Sequence, residues 1–150
     1  MKKTTTTHLE EVLRHTPPEK IPSFSVEYAD KMLVSDRPFR DYMLTLLAAR
    51  GMRQQTLFLN ADISEGYGYK LLSEEKHTVQ RDVILRICLG AALTVDETNR
   101  ALTLYGMAPL YAKLRRDAVL ISAISSKVYD VFEVDALLTQ NGVAPLYKCR

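Results

Sequence analysis

Residues Gln54 to Leu72 read QQTLFLNADISEGYGYKLL. The stretch predicts a helix, a tight turn and a second helix. Leu57, Ile63 and Leu71 are spaced to face one small core. Asp62 falls at the turn, where a short polar residue tolerates a left-handed backbone. Ser64 follows, placed to cap the second helix by accepting from its first free N–H groups.

The flanks extend the helical pattern. Asp36 and Pro38 suit a helix start. Phe39, Tyr42, Met43, Leu46 and Leu47 then recur at spacings of three and four, up to a stop at Gly51. Beyond Leu72, Ser73 to His77 is a polar loop, and Thr78 is placed to cap a helix carrying Val79, Val83, Ile84, Ile87 and Cys88, ended by Gly90. Thr94 with Glu97 forms a capping box for a helix carrying Val95, Thr98, Ala101, Leu102 and Tyr105, ended by Gly106. Five helices are therefore expected between Phe39 and Gly106.

Upstream, Lys2 to Thr7 reads as a polar tail. Thr7 with Glu10 predicts a capping box for a short helix bearing Leu9, Val12 and Leu13, which Pro17 and Pro18 end. A second short helix is expected from about Val26 to Val34, capped by Ser25, with Tyr28, Ala29, Met32 and Leu33 on its apolar side. Downstream, Gly106-Met-Ala-Pro-Leu-Tyr111 recurs as Gly142-Val-Ala-Pro-Leu-Tyr147. At the same offset of 36, Val95, Glu97, Leu102 and Thr103 match Val131, Glu133, Leu138 and Thr139. One residue out of step, Arg81-Asp82-Val-Ile-Leu85 matches Arg116-Asp117-Ala-Val-Leu120. The last third reads as a duplicated helix pair, with Asp130 and Glu133 as a further capping box. Similar stop signals alone are the alternative source of this likeness. Val128 to Val134 is β-branched and aromatic, but its caps suit a helix, so the chain reads as all-α.

Bulk composition sets the outer limits. At 150 residues, 47% apolar and 25% charged, the chain is long enough to bury a core. A net charge of +2 favours neither strong nucleic-acid nor strong membrane attraction. Cys88 and Cys149 lack ligand spacing and read as reduced thiols, and no apolar run follows Met1-Lys2-Lys3, so a cytoplasmic protein is expected. His8, His15 and His77 have no metal-ligand spacing. Asp82 and Asp117 follow Arg at helix starts, where a carboxylate suits the dipole. No catalytic constellation or cofactor site is visible, so no enzyme is expected and neither metal nor cofactor is implied.

Gln54 to Leu72 has the layout of a helix-turn-helix. It resembles the lambda-repressor-like, Cro-type family, and the resemblance extends over about Phe39 to Tyr105. It implies a five-helix domain whose third helix enters the major groove. It implies that Gln54 meets a phosphate at the start of the second helix and that Ser64, Glu65, Gly66 and Tyr67 project toward the bases. Lys70, Lys76 and His77 would meet backbone phosphates. The family usually has Ala where this chain has Phe58 and a β-branched residue where it has Gly68. These positions face each other, so the exchange reads as a volume-conserving swap. Asp62 stands in place of the turn Gly, and Glu65, which can accept from cytosine N4, occupies a reading position.

Charge gives DNA modest support. From Asp36 to Gly90 eight Lys/Arg stand against seven Asp/Glu, a net of +1. Arg53, Lys70, Lys76, Arg81 and His77 would have to share one face to displace counterions. The resulting expectation is a five-helix helix-turn-helix domain (37–106) with an N-terminal helical extension (1–36) and a C-terminal helical pair (107–150). It would act as a transcriptional regulator reading double-stranded DNA from Ser64 to Leu72. The DNA-binding residues would be Arg53, Gln54, Ser64, Glu65, Gly66, Tyr67, Lys70, Lys76 and His77. The terminal helices would serve a homodimer or a protein partner, with no membrane contact. The competing reading, motivated by Glu65, Gly66 and Gly68, is a non-enzymatic protein-interaction module that no longer reads DNA. Phosphorylation of Thr4 to Thr7 would be its means of regulation.

Overall fold

The computed structural model describes residues 5–31 and 36–147, and among these residues every regular element is a helix. Residues 1–36 and 37–150 form two compact units. In the first, α1 (Thr5–Arg14) and α2 (Ile21–Glu27) flank a 3-10 turn at Pro18–Lys20, and a second 3-10 turn spans Ala29–Lys31. Phe24 is the buried side chain of α2, with its ring 4.8 Å from that of Tyr28. Two expectations fail here. Thr7 lies inside α1, so it is not its N-cap. The second helix starts earlier than expected, because Pro22 fits its first turn, and it runs through Ser25, leaving Val26 81% exposed. Met1 to Thr4, Met32 to Ser35 and Cys149 lie outside the described residues, and so do the readings placed on them.

The second unit contains α3 (Pro38–Arg50), α4 (Gln54–Ala61), α5 (Glu65–Leu72), α6 (Arg81–Gly90), α7 (Val95–Leu104), α8 (Arg115–Ser125) and α9 (Val131–Gln140). Pro38 opens α3 as expected, but Arg37 rather than Asp36 is the N-cap residue, and its side chain does not cap the helix. The Glu74 carboxylate instead accepts from the Arg40 N–H in the first turn of α3. Helix α6 is the centre of this unit. Every residue from Val83 to Gly90 is buried, so the helix has no solvent face. Thr78 does not cap it. The helix begins three residues later, and Val79, expected in the core, is 94% exposed. Thr78 instead donates its N–H to the Tyr105 hydroxyl. The Gly90 stop is also re-read. The left-handed residue after α6 is Ala92, whereas Gly90 admits α4, since a Cβ there would stand 2.7 Å from the Leu57 carbonyl oxygen. The capping box expected at α7 forms, whereas of the one expected at α9 only the Asp130 half is present. Thr94 and Glu97 form the reciprocal box, and the Asp130 carboxylate accepts from the Phe132 and Glu133 N–H groups.

The duplicated motif has a structural counterpart. Helix α6 packs on α7, α7 on α8, α8 on α9, and α9 back on α6. Exchanging α6 with α8 and α7 with α9 maps this ring onto itself. The two copies thus close on each other instead of forming an open stack. Their hydrogen bonds obey the same exchange. Arg81 grips the Asp117 carboxylate with both terminal nitrogens, at 2.9 and 3.0 Å, and also donates to the Ala108 and Pro109 carbonyls. Arg116 grips Asp82 at 2.7 and 2.8 Å and donates to the Ala144 and Pro145 carbonyls. Asp117 accepts from the Tyr111 N–H and Asp82 from the Tyr147 N–H. Asn99 and Asp135 accept from Leu110 and Leu146 at equivalent positions. Gly106 and Gly142 open the two turns at φ +82° and +72°, a region that glycine enters without strain.

This pairing makes an acid-labile tie. Burial pushes both carboxyls up, but guanidinium and backbone N–H hydrogen bonds outweigh it and hold Asp82 and Asp117 below their ordinary value. Each therefore titrates lower in the folded chain than in the unfolded one. The stabilisation is present above the unfolded value and is lost as pH falls through the folded values, a window below about pH 4. Urea unfolding between pH 6 and 3 checks this. We expect stability to fall steeply below about pH 4. The paired variant Asp82→Asn/Asp117→Asn should be less stable at pH 6 and have a flatter profile.

Candidate nucleic-acid interface

The α4–α5 corner is built as its sequence implies. Asp62 takes φ +54°, and Leu57, Ile63 and Leu71 are buried in one core. Ser64 occupies the N-cap position of α5, but its side chain makes no capping hydrogen bond, contrary to expectation. Its extended backbone still turns the chain into α5. The Phe58–Gly68 exchange is a close fit. Phe58 is 1% exposed, and a Cβ on Gly68 would lie 2.5 Å from the Phe58 Cδ1 atom. Phe58 also meets the Tyr69 ring edge-on, with centroids 4.9 Å apart.

That packing decides which side of α5 meets solvent. Ser64, Glu65, Gly66 and Lys70 are exposed, as the resemblance implies. Tyr67 is half-buried against the core, while Tyr69 is 41% exposed, so Tyr69 is the more accessible aromatic of the two. Spacing alone put these tyrosines on different sides without saying which was outside. Glu65 sits in the first turn of α5, where its charge offsets the positive end of the helix dipole. A phosphate is thereby disfavoured at that end, whereas a base amino group is not.

Cations stand at the start of α4 and in the loop after α5. Arg53 is exposed at the N-cap of α4 and donates to the Gln55 side chain; Gln54 is half-buried as the first helical residue. At the far end, α5 closes through Glu74, whose φ is +61°. The Lys76 N–H donates to the Lys70 carbonyl, and the Arg37 guanidinium donates to the Ser73 carbonyl. Lys76 and His77 are exposed on this loop, with the His77 ring 5.5 Å from Tyr105. Arg81, expected to join them, is committed to Asp117 and the Ala108 and Pro109 carbonyls instead. The tie between the 73–77 loop and α3, through Arg37, Arg40 and Glu74, carried no local sequence signal.

Cys88 is 1% exposed, and burial pushes its thiol up to about 12, so it is a protonated core residue. Among the described residues, no three His, Cys, Asp or Glu side chains converge as a metal site, and no helix is long and apolar enough to cross a membrane. Comparison with family models, curated proteins and solved structures gives no match.

The Phe58–Gly68 contact predicts opposite outcomes for two glycines of one helix. Gly68→Ala should destabilise the chain by about 1–3 kcal/mol through overpacking. Gly66→Ala, which meets nothing within 4 Å, should stabilise it by about 0.5–1 kcal/mol. Urea midpoints measure both. In a Phe58→Ala background, most of the Gly68→Ala penalty should disappear.

Proposed function

We propose that this chain is a helix-turn-helix protein on the lambda-repressor-like plan that binds duplex DNA through α5. The observation that carries this reading is the solvent face of α5. Phe58 and Gly68 bring the helix close to α4, and Ser64, Glu65, Gly66, Tyr69 and Lys70 are exposed, as are Arg53 at the start of α4 and Lys76 and His77 in the loop after α5. Lys70, Lys76 and Arg53 supply phosphate contacts, while Ser64 and Glu65 offer polar groups to base edges. Glu65 makes the protein a discriminating rather than a tenacious binder. It accepts from a cytosine amino group and repels non-specific phosphate. The exposed residues of the N- and C-terminal helices would serve a second copy or a protein partner.

One observation favours the competing reading of a protein-interaction module. Leu59 is 82% exposed and Phe132 is 65% exposed, and both line a groove of about 380 Å³ with Tyr129 and Leu89. Apolar side chains clustered in this way suit a protein contact.

Fluorescence anisotropy with a random-sequence duplex pool tests the DNA reading. Binding should weaken with salt at a log–log slope of about −3, each Lys or Arg contact contributing about −0.9. Lys70→Gln should flatten the slope by about one unit, and Glu65→Gln should raise affinity for the pool. Absence of salt-dependent binding at low ionic strength would overturn the proposal.

A further inference from the structure

Arg86 is a charged side chain only 3% exposed at the centre of the buried helix α6. A guanidinium there demands acceptors, because an unpaired buried charge is strongly destabilising and an apolar residue of similar size would fill the space without that demand. Its partners are backbone carbonyls of two distant turns. It donates to the Ala61 carbonyl at 3.2 Å, to Tyr147 at 2.7 Å and to Leu146 at 3.3 Å. The only carboxylate paired with it among the described residues is Asp135, at 3.9 Å, and Asp135 itself accepts from the Leu146 N–H. Ala61 is the last residue of α4, and the next residue is the left-handed Asp62 that aims α5.

We infer that Arg86 is a positioning residue that couples the Gly142–Tyr147 turn to the Ala61–Ser64 turn, so that the duplicated C-terminal pair holds the α5 reading face in place. The functional half of this statement rests on the DNA-binding reading above; the mechanical half does not. The fork geometry of the guanidinium fixes the separation of the two turns, since moving either one strands a donor or a carbonyl in the core. The far side of the C-terminal turn is held by Arg116, whose hydrogen bonds go to Asp82, Ala144 and Pro145. Loosening that grip should therefore be felt at Asp62 and Ile63, with Arg86 as the side chain that bonds both turns directly. The expected role of a C-terminal appendage thus becomes a mechanical one, which a dimerisation or sensing element need not have.

A double-mutant cycle in the full chain, read by amide hydrogen exchange, tests the coupling. Exchange at Asp62 and Ile63 is taken relative to the Met107 amide, which lies in the turn gripped by Arg81. Arg116→Met should raise this ratio about tenfold, and Arg86→Met should do the same. Adding Arg116→Met to Arg86→Met should produce no further rise. Arg86→Lys, which keeps a charge with a different reach, completes the cycle should Arg86→Met fail to fold. An unchanged ratio in Arg116→Met, or effects that multiply in the double variant, would overturn the inference. Duplex affinity measured on Arg116→Met should fall with its salt slope retained. If the wild-type chain binds no duplex, the DNA reading fails while the exchange result still decides the coupling.

Discussion

The fold depends on the burial of α6 from Val83 to Gly90. A helix without a solvent face must be enclosed on all sides, and α4, α7 and α9 provide the enclosure. Each polar or small residue along it then has an assigned partner. Asp82 at its start is held by Arg116, Arg86 at its middle binds carbonyls of two turns, and Gly90 at its end admits the backbone of α4. The α4–α5 corner and the C-terminal helix pair are therefore packed against the same central rod. Neither is an accessory to the other.

The duplication acquires a physical meaning from this arrangement. A helix pair alone leaves an apolar face uncovered, and two copies are too few for an open solenoid. Here the copies close, each Arg–Asp dipeptide crossing to the other copy while its Arg also gathers the carbonyls of its own Ala-Pro turn. A bidentate guanidinium–carboxylate pair is geometrically exacting, so the two crossed pairs fix the register as well as adding attraction. The arrangement also consumes Arg81, which composition alone had left free to meet phosphate.

Much of this was legible in the chain because the signals were local. The period of α3, the Thr94–Glu97 box, the turn at Asp62 and the Phe58–Gly68 exchange follow from spacing, capping chemistry and volume. The misreadings share one cause, which is that a cap or stop residue was available but the tertiary structure used something else. Thr78 bonds Tyr105 and Val79 is left in solvent; Ser64 makes no capping bond; Gly90 serves helix packing while Ala92 takes the left-handed turn. In the candidate site, the exposed positions Ser64, Glu65, Gly66, Lys70, Lys76 and His77 were readable, but the choice between Tyr67 and Tyr69 depended on which of them packs against the core of the whole unit. Repeated Arg-Asp dipeptides beside repeated Ala-Pro-Leu-Tyr turns were a visible signal of the clamp. Their crossing was not, because it depends on how the two pairs face each other.

In the proposed function α5 is the face presented to DNA. The most direct measurement is a heteronuclear NMR titration of the full chain with a duplex at low salt, followed at each assigned backbone amide. We expect shifts to concentrate at residues 53–55, 64–70 and 76–77 and to be reversed by salt. Shifts concentrated at Leu59 and Tyr129 to Phe132, or no shifts at all, would contradict that proposal.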